Sequence, residues 1–433
     1  MKYNDSCIPG RRKHGISRRI RLRNAGVQSP DWDVLTLNKP SNKAVILGSN
    51  YYIGLSTIRC LGEHGVHTVA VDYATKNTYA ARSKYCAERL ISPHYKEDPA
   101  GFIRLLKDYA ARQSAPPVLI PCHDAYVEVI DEYLEELREC YLIPQTETGI
   151  YTRLMNKESL ERAAIEKGVA VPETLRVDED GYLDQVDRLI KYPCLVKPVD
   201  SPAFMAVFRR KLFKVANRQE LEEAVAKSHQ AGLEVIVQRI IPGFDDHMYT
   251  FDAYLNQDAK VTHWVTCQKY RQYPINFGAS VYTGQKYVPE LYEIGAKFLE
   301  EMKYKGFAEI EFKKDAETGK FYLIEVNVRI TNLNVLLYKA GVNIPYITYR
   351  ELTGAPLPPS AVERDTNLVF WYAYEDLLAI RGYLKTGQLK LGQVLASLRK
   401  PKAHSIWDWR DPKPAFAFAW MILGKLFGKW RRG

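Results

Sequence analysis

The chain has 433 residues, too many for one simple core, so two or three domains are expected. Hydrophobic residues make up 46% and charged residues 26%, within the range of globular proteins and outside that of disordered or collagen-like chains. The formal net charge of +10 is concentrated at the two ends, in Arg11, Arg12, Lys13, Arg18, Arg19, Arg21 and Arg23 and again in Lys425, Lys429, Arg431 and Arg432. The basic pI therefore speaks for the ends and not for the body of the protein.

No helix-turn-helix pattern, RNP motif or zinc-finger spacing accompanies this charge, and nucleic acid is not expected as a partner. Seven scattered cysteines, an odd number without a CxxC pair, point to free thiols in a reducing compartment. The charged N-terminus lacks a following apolar region of secretory type, and no apolar run reaches the roughly 20 residues of a spanning helix. A cytoplasmic protein is expected, with peripheral contact at the inner face of the membrane as the one variation.

Residues 1–40 are polar, basic and broken by Pro9, Gly10, Pro30 and Pro40, and read as a tail. The strand KAVILGS, the helical stretch GLSTIRCLGEHG and the strand HTVAVDYA then make a β-α-β opening, and PPVLIPCH adds a third strand. Residues 41–150 are thus expected to form a small doubly wound α/β domain. From Tyr151 the pattern changes. NKESLERAAIEKG reads as an amphipathic helix with Asn156 as its N-cap and Gly168 beyond its end. The strands CLVKPVD, EVIVQRII, MYTFDAYLN, AKVTHWVTCQKY, FAEIEFKKD and KFYLIEVNV follow with interspersed helices, which makes 151–355 an α+β domain. Residues 356–433 are expected to be a helical extension, with helices near 373–385 and 390–399. In its end, PAFAFAWMILGKLFGKWRRG, an aromatic and aliphatic stretch precedes a cationic one. From Ala415 to Gly433 it either lies on an anionic membrane surface or packs as a helix on the body.

The densest chemistry lies in FAEIEFKKDAETGKFYLIEVNVRITN, where Asp315 to Gly319 make a hairpin turn. Residues two apart in a strand share a face, so Glu309 and Glu311 lie together, as do Glu325, Asn327 and Arg329. Carboxylate and amide oxygens on adjoining strands suit Mg²⁺, and an arginine beside them suits a phosphate or carboxylate.

EVNVR resembles the E-x-N-x-R signature of the ATP-grasp superfamily, and the resemblance extends over roughly residues 41–355. It implies a pre-ATP-grasp domain followed by an ATP-grasp domain of two α+β lobes. It also implies ATP as cofactor with Mg²⁺, or alternatively Mn²⁺, held by Glu311, Glu325 and Asn327. Lys157 and Lys197 match the two ATP-binding lysines. EVIVQRIIPGFDD resembles the hinge strand, which gives Gln238, Arg239 and Ile240 to adenine and Asp245 or Asp246 to ribose. The phosphate-covering loop of the family matches DSPAFMAVFRRK, which contains no glycine.

The opening VILGSNYYIGLSTIRCLGEHGVHTVAVD is similar to the first domain of carboxylate–amine ligases, with Gly48, Gly54, Arg59 and Asp72 in matching places. A dinucleotide site is not expected there because G-x-G-x-x-G is absent. KYRQYPINFGASVYTG resembles a substrate-lining, arginine-led loop of D-aspartate ligases, where Arg271 would orient a carboxylate. Arg329 would hold the transferring phosphoryl group. His123 and Asp124 fit the same group, though His123 equally suits a core position.

The function so implied is ATP-dependent ligation of a small-molecule carboxylate to an amine through an acyl phosphate, on an amino-acid or cell-envelope substrate. Another acceptor chemistry, or a nucleotide-binding scaffold without turnover at the membrane, fits the same residues.

Overall fold

The computed structural model describes residues 41–75, 78–178 and 181–430. The basic tail expected over residues 1–40 and the last three residues of the C-terminal segment lie outside them.

The first sheet is built from β1 (Ala44–Leu47), β2 (Thr68–Asp72), β3 (Cys86–Ile91) and β4 (Val118–Pro121), in the order β3-β2-β1-β4, all parallel. β1 and β2 are buried throughout, as strands covered on both faces must be. β3 is an edge strand alternating between half-buried and exposed positions. It adds a fourth strand to the three expected.

A small lobe follows, made of β5 (Thr174–Arg176), β6 (Cys194–Pro198), β7 (Phe213–Val215) and β8 (Val235–Arg239) in the order β5-β8-β6-β7, antiparallel. It has its own core, including Val186, Val196, Phe204, Leu221 and Val237.

The large sheet comprises β9 (Met248–Leu255), β10 (Val261–Tyr273), β11 (Ala279–Gln285), β12 (Gly306–Lys314), β13 (Phe321–Asn327), β14 (Ser360–Ala361), β15 (Val369–Trp371) and β16 (Lys402–His404). Its order is β13-β12-β9-β10-β11-β15-β16, with β14 beside β10. The helices expected near 373–385 and 390–399 occur at Ala373–Lys385 and Leu391–Leu398. The segment from 356 onward also contributes β14, β15 and β16, so it is part of this sheet as well as helical.

Two apolar clusters join the first and large sheets. Val45, Leu47 and Val71 pack with Phe251, Ile310 and Phe312, whereas Ile46, Ala70 and Ile120 share the other cluster with Tyr254, Val265 and Phe307. The small lobe is the part with a separate core, and it carries β6 and β8 opposite the edge of the large sheet.

Candidate active site

The site starts from strand register. Glu309 of β12 lies opposite Asn327 of β13, and Glu311 lies opposite Glu325. β9 flanks β12 on its other side, pairing Asp252 with Glu309 and Thr250 with Glu311. Period-two alternation therefore brings these polar side chains to one face of three neighbouring strands.

Asn327 is fixed at both ends of its amide. Its Nδ2 donates to Glu309 Oε1 at 3.0 Å, and its Oδ1 accepts from an Arg329 Nη at 3.2 Å. The second Glu309 oxygen accepts from Thr331 Oγ1 at 2.9 Å. Glu309 thus supports Asn327 from below. Burial, and then the neighbouring Glu311, raise the Glu309 pKa, while burial and Glu309 hold Asp252 well above the usual carboxylate range.

A buried cation that sequence reasoning missed completes the cluster. Lys269 of β10 is 3% exposed and its Nζ lies 2.6 Å from Glu311 Oε1. Burial opposes its charge, yet Glu311, Glu309 and Glu325 together raise its pKa. Its signal was a lysine in a strand of apolar and aromatic residues, two positions before the arginine that drew attention instead.

Among the described residues, no three His, Cys, Asp or Glu side chains converge to hold a metal by themselves. Glu311, Glu325 and Asn327 present two carboxylates and one amide oxygen. That donor set fits Mg²⁺, which takes oxygen ligands and leaves several positions to water and phosphate. Asn327 Oδ1 has two lone pairs, of which Arg329 occupies one.

Lys157, on a helix packed against the large sheet, and Lys197 of the small lobe both stand within the field of Glu325. Lys157, first residue of the helix Lys157–Glu166 capped by Asn156, donates to the Pro198 carbonyl at 2.9 Å. Lys197 in β6 donates to Gln238 Oε1 of β8 at 2.7 Å, and Gln238 Nε2 donates to Thr174 Oγ1 at 3.0 Å. Burial and the nearby Lys157 push Lys197 down to about 8, against the opposing pull of Glu325 and Glu161. Two lysines this close, both with burial weakening the hold on their protons, make a place where added negative charge is favoured.

The residues after Asp200 depart from expectation. DSPAFMAVFRRK is no loop over most of its length: Ser201–Phe208 is a helix, with the Asp200 side chain accepting from Ala203 N at 3.0 Å. Proline in the first turn, a cap and no glycine favour that helix, and Phe204 anchors it in the lobe core. Arg209 ends it at φ +54° and leads into Arg210 and Lys211.

Other expected residues have partners of their own. Arg239 pairs with Glu173 at 3.2 Å and Asp315 at 3.4 Å, and Ile240 follows at the end of β8. Asp245 is 2% exposed and accepts from Gln272 Nε2 at 3.0 Å, Asn276 N at 2.9 Å and the Tyr383 hydroxyl. It braces the end of β10, so of the two ribose candidates only Asp246, paired with His247 at 2.8 Å, faces outward.

Arg271 is not brought to the acid cluster. It is 4% exposed, donates twice to Asp376 at 2.6 and 2.7 Å, and lies 3.9 Å over the Tyr282 ring. Nor does its segment form a substrate loop, because KYRQYP completes β10 and ASVYTG opens β11, with Arg271 opposite Tyr282. A Cβ on Gly278 would sit 2.1 Å from the Tyr273 carbonyl carbon, so glycine is what lets the connection close.

Arg329 crosses instead to the first domain, donating to both Asp124 oxygens at 2.7 and 3.1 Å. Asp124 begins the helix Asp124–Glu132, and His123 caps it by accepting from Ala125 N at 3.2 Å. That is a structural duty for His123.

Comparison with known proteins agrees with this geometry. Residues 168–335 match the D-ala D-ala ligase C-terminus family. The D-aspartate ligase of Enterococcus faecium is 28% identical over 286 residues, 63% of this chain and 68% of the relative. Among solved structures, the L-amino acid ligase of Bacillus licheniformis is 16% identical with TM-score 0.52, covering 74% of this chain and 76% of that one. The biotin carboxylase domain of Hydrogenobacter thermophilus 2-oxoglutarate carboxylase, solved with MgADP and bicarbonate, is 19% identical with TM-score 0.58, covering 76% and 73%. The chain thus shares its fold with these enzymes, and its residues 168–335 carry the D-ala D-ala ligase C-terminus match. More particularly, its sequence is similar to that of D-aspartate ligase.

Proposed function

We propose that the chain joins an amino-acid carboxylate to an amine at the expense of ATP. A carboxylate oxygen attacks the γ-phosphorus and ADP departs, leaving an acyl phosphate. The neutral amine then attacks the acyl carbon, phosphate leaves, and the nitrogen gives up a proton to form the amide.

The observation that carries this reading is the placing of Glu311, Glu325 and Asn327 on one strand face opposite Lys157 and Lys197. Such phosphoryl transfer asks the protein for position and charge neutralisation more than for covalent help. In this reading the two lysines hold the phosphates, and the backbone of Gln238 to Ile240 receives adenine. Asp246 takes the ribose, and Arg329 holds the transferring phosphoryl group. Mg²⁺ bound by Glu311, Glu325 and Asn327 supplies the remaining positive charge. Arg271 would orient a carboxylate only by leaving Asp376, so its present contacts favour a wall of the site over a substrate anchor. The likeness to D-aspartate ligase supports an amino acid as the carboxylate substrate.

The test is ADP release measured across a panel of amino acids and amine acceptors, with mass spectrometry of the products. We expect release to need both partners and the product mass to equal their sum less one water. Release with bicarbonate and an amine alone would show carboxylation and overturn the amide assignment. Glu325→Gln is expected to abolish ADP formation while the thermal transition is unchanged, since a neutral amide cannot offset metal charge as a carboxylate does. Activity near that of the parent in this variant would take Glu325 out of the metal site.

A further inference from the structure

The C-terminal segment carries more apolar surface than its packing covers. The helix Lys413–Trp430 turns Ala417, Phe418 and Met421 toward the body, where Phe418 meets Tyr79 at 5.3 Å and Tyr374 at 6.1 Å between ring centroids. Its other side shows Phe416, Trp420 and Leu423 to solvent, with Trp420 79% exposed. Positions 416, 420 and 423 follow the helical repeat, so they form a stripe.

Two more helices repeat the arrangement. Leu391–Leu398 buries Ser397 and exposes Leu391, Leu395 and Leu398, again at helical spacing. Ala373–Lys385 buries Asp376, Ala379 and Tyr383 and exposes Leu377 and Leu384, with Arg381 between them. Trp409, on the connection after β16, is 83% exposed. Scattered single apolar residues need no explanation, but three helices each turning a leucine or tryptophan stripe outward do.

The charge around these stripes selects the occupant. From residue 373 to 433 there are twelve lysines and arginines and four acids. Two of the four, Asp376 and Asp411, are buried in ion pairs with Arg271 and Arg59. Lys385, Lys390, Arg399 and Lys413 are exposed beside the stripes. Exposed tryptophan and leucine within a cationic surface suit the headgroup region of an anionic bilayer, where indole rings partition and each basic residue adds attraction. Among the described residues no helix is long and apolar enough to cross a membrane, so contact of this kind is peripheral.

We propose that these outward stripes, carried by three helices of the C-terminal segment, are the docking surface for anionic lipid membranes. The packed side of the last helix holds it on the body while its outer side meets the bilayer, so both expected fates of the segment are combined in one helix. Salt should weaken binding, because the cations are exposed and screened.

The test uses the full-length protein in flotation with vesicles of phosphatidylglycerol and phosphatidylcholine, and with phosphatidylcholine alone. We expect binding to the anionic vesicles at low salt, at least tenfold weaker binding at high salt, and little to the neutral ones. The double variant Leu395→Gln, Trp420→Ser and, separately, Lys385→Glu, Arg399→Glu should each lower anionic binding at least tenfold with unchanged melting temperature. Equal binding to neutral vesicles, or none to anionic ones, overturns the proposal. So does a concentration-dependent dimer in sedimentation velocity that Leu395→Gln, Trp420→Ser abolishes without vesicle binding by the parent. That result would make the stripes a contact between two copies.

Discussion

Lys269 shows how one buried cation organises the site. Its ammonium stands 2.6 Å from Glu311 within a face that also holds Glu309 and Asp252. Removing one partner of a buried pair leaves the other's charge uncompensated, a loss of about 3–5 kcal/mol. We predict that Lys269→Met lowers unfolding free energy by roughly 3 kcal/mol in urea titrations. Added Mg²⁺ should recover more stability in this variant than in the parent, because it supplies positive charge to the same acids. A variant as stable as the parent, or indifferent to Mg²⁺, would show that the acids do not depend on this ammonium. A titratable residue elsewhere on the same strand behaves differently. Burial pushes His263 of β10 down to about 4 from 6.5. Above pH 6.5 it is neutral folded and unfolded, so its contribution is fully present. As pH falls from 6.5 toward 4, the unfolded chain takes up a proton that the folded one refuses, and about 3 kcal/mol is lost. Unfolding free energies over that range should therefore fall less steeply in His263→Gln than in the parent. Parallel profiles would remove His263 from the pH response.

At the scale of elements, the junction between β1 and the helix Tyr52–Gly62 depends on close backbone approach. A Cβ on Gly54 would lie 2.6, 2.8 and 2.9 Å from Ser49 Cα, O and C. These are backbone atoms that cannot rotate away. Gly54→Ala is expected to destabilise the protein by about 1–3 kcal/mol through overpacking. Gly392→Ala, inside the helix Leu391–Leu398 with nothing near its Cβ, should stabilise by about 0.5–1 kcal/mol. Denaturation of both separates steric crowding from helix propensity, and equal shifts would contradict the close approach.

At the scale of the molecule, the C-terminal segment is stitched to the first domain. Asp411 is 1% exposed and accepts from Arg59 Nε at 2.9 Å, Ser83 Oγ at 2.6 Å and Lys84 N at 3.0 Å. Arg59 also donates to the carbonyls of Ile406 and Asp411, each at 2.8 Å. Asp411→Ala should cost about 3–5 kcal/mol by leaving Arg59 buried and unpaired. Limited proteolysis should then cut the variant after β16 sooner than the parent. Equal resistance and equal stability would show that the strands and the last helix hold the segment without this clasp.

What was legible in the sequence was local. The parallel opening, the strands FAEIEFKK and FYLIEVN, and the facing of Glu311, Glu325 and Asn327 follow from apolar runs and period-two alternation, which neighbouring residues alone impose. β3 escaped because Glu88 and Arg89 interrupt its apolar pattern, as an edge strand permits. β11 was read as loop because its small and polar residues find their strand only against β10 and β15. Partnerships between distant positions were decided by tertiary structure. Arg271 with Asp376, Arg329 with Asp124, Asp245 with Tyr383 and Lys269 with Glu311 are ion pairs or hydrogen bonds across separate elements. A sequence names the charged group, but burial and the nearest opposite charge determine whether it is left for a ligand or held by the fold.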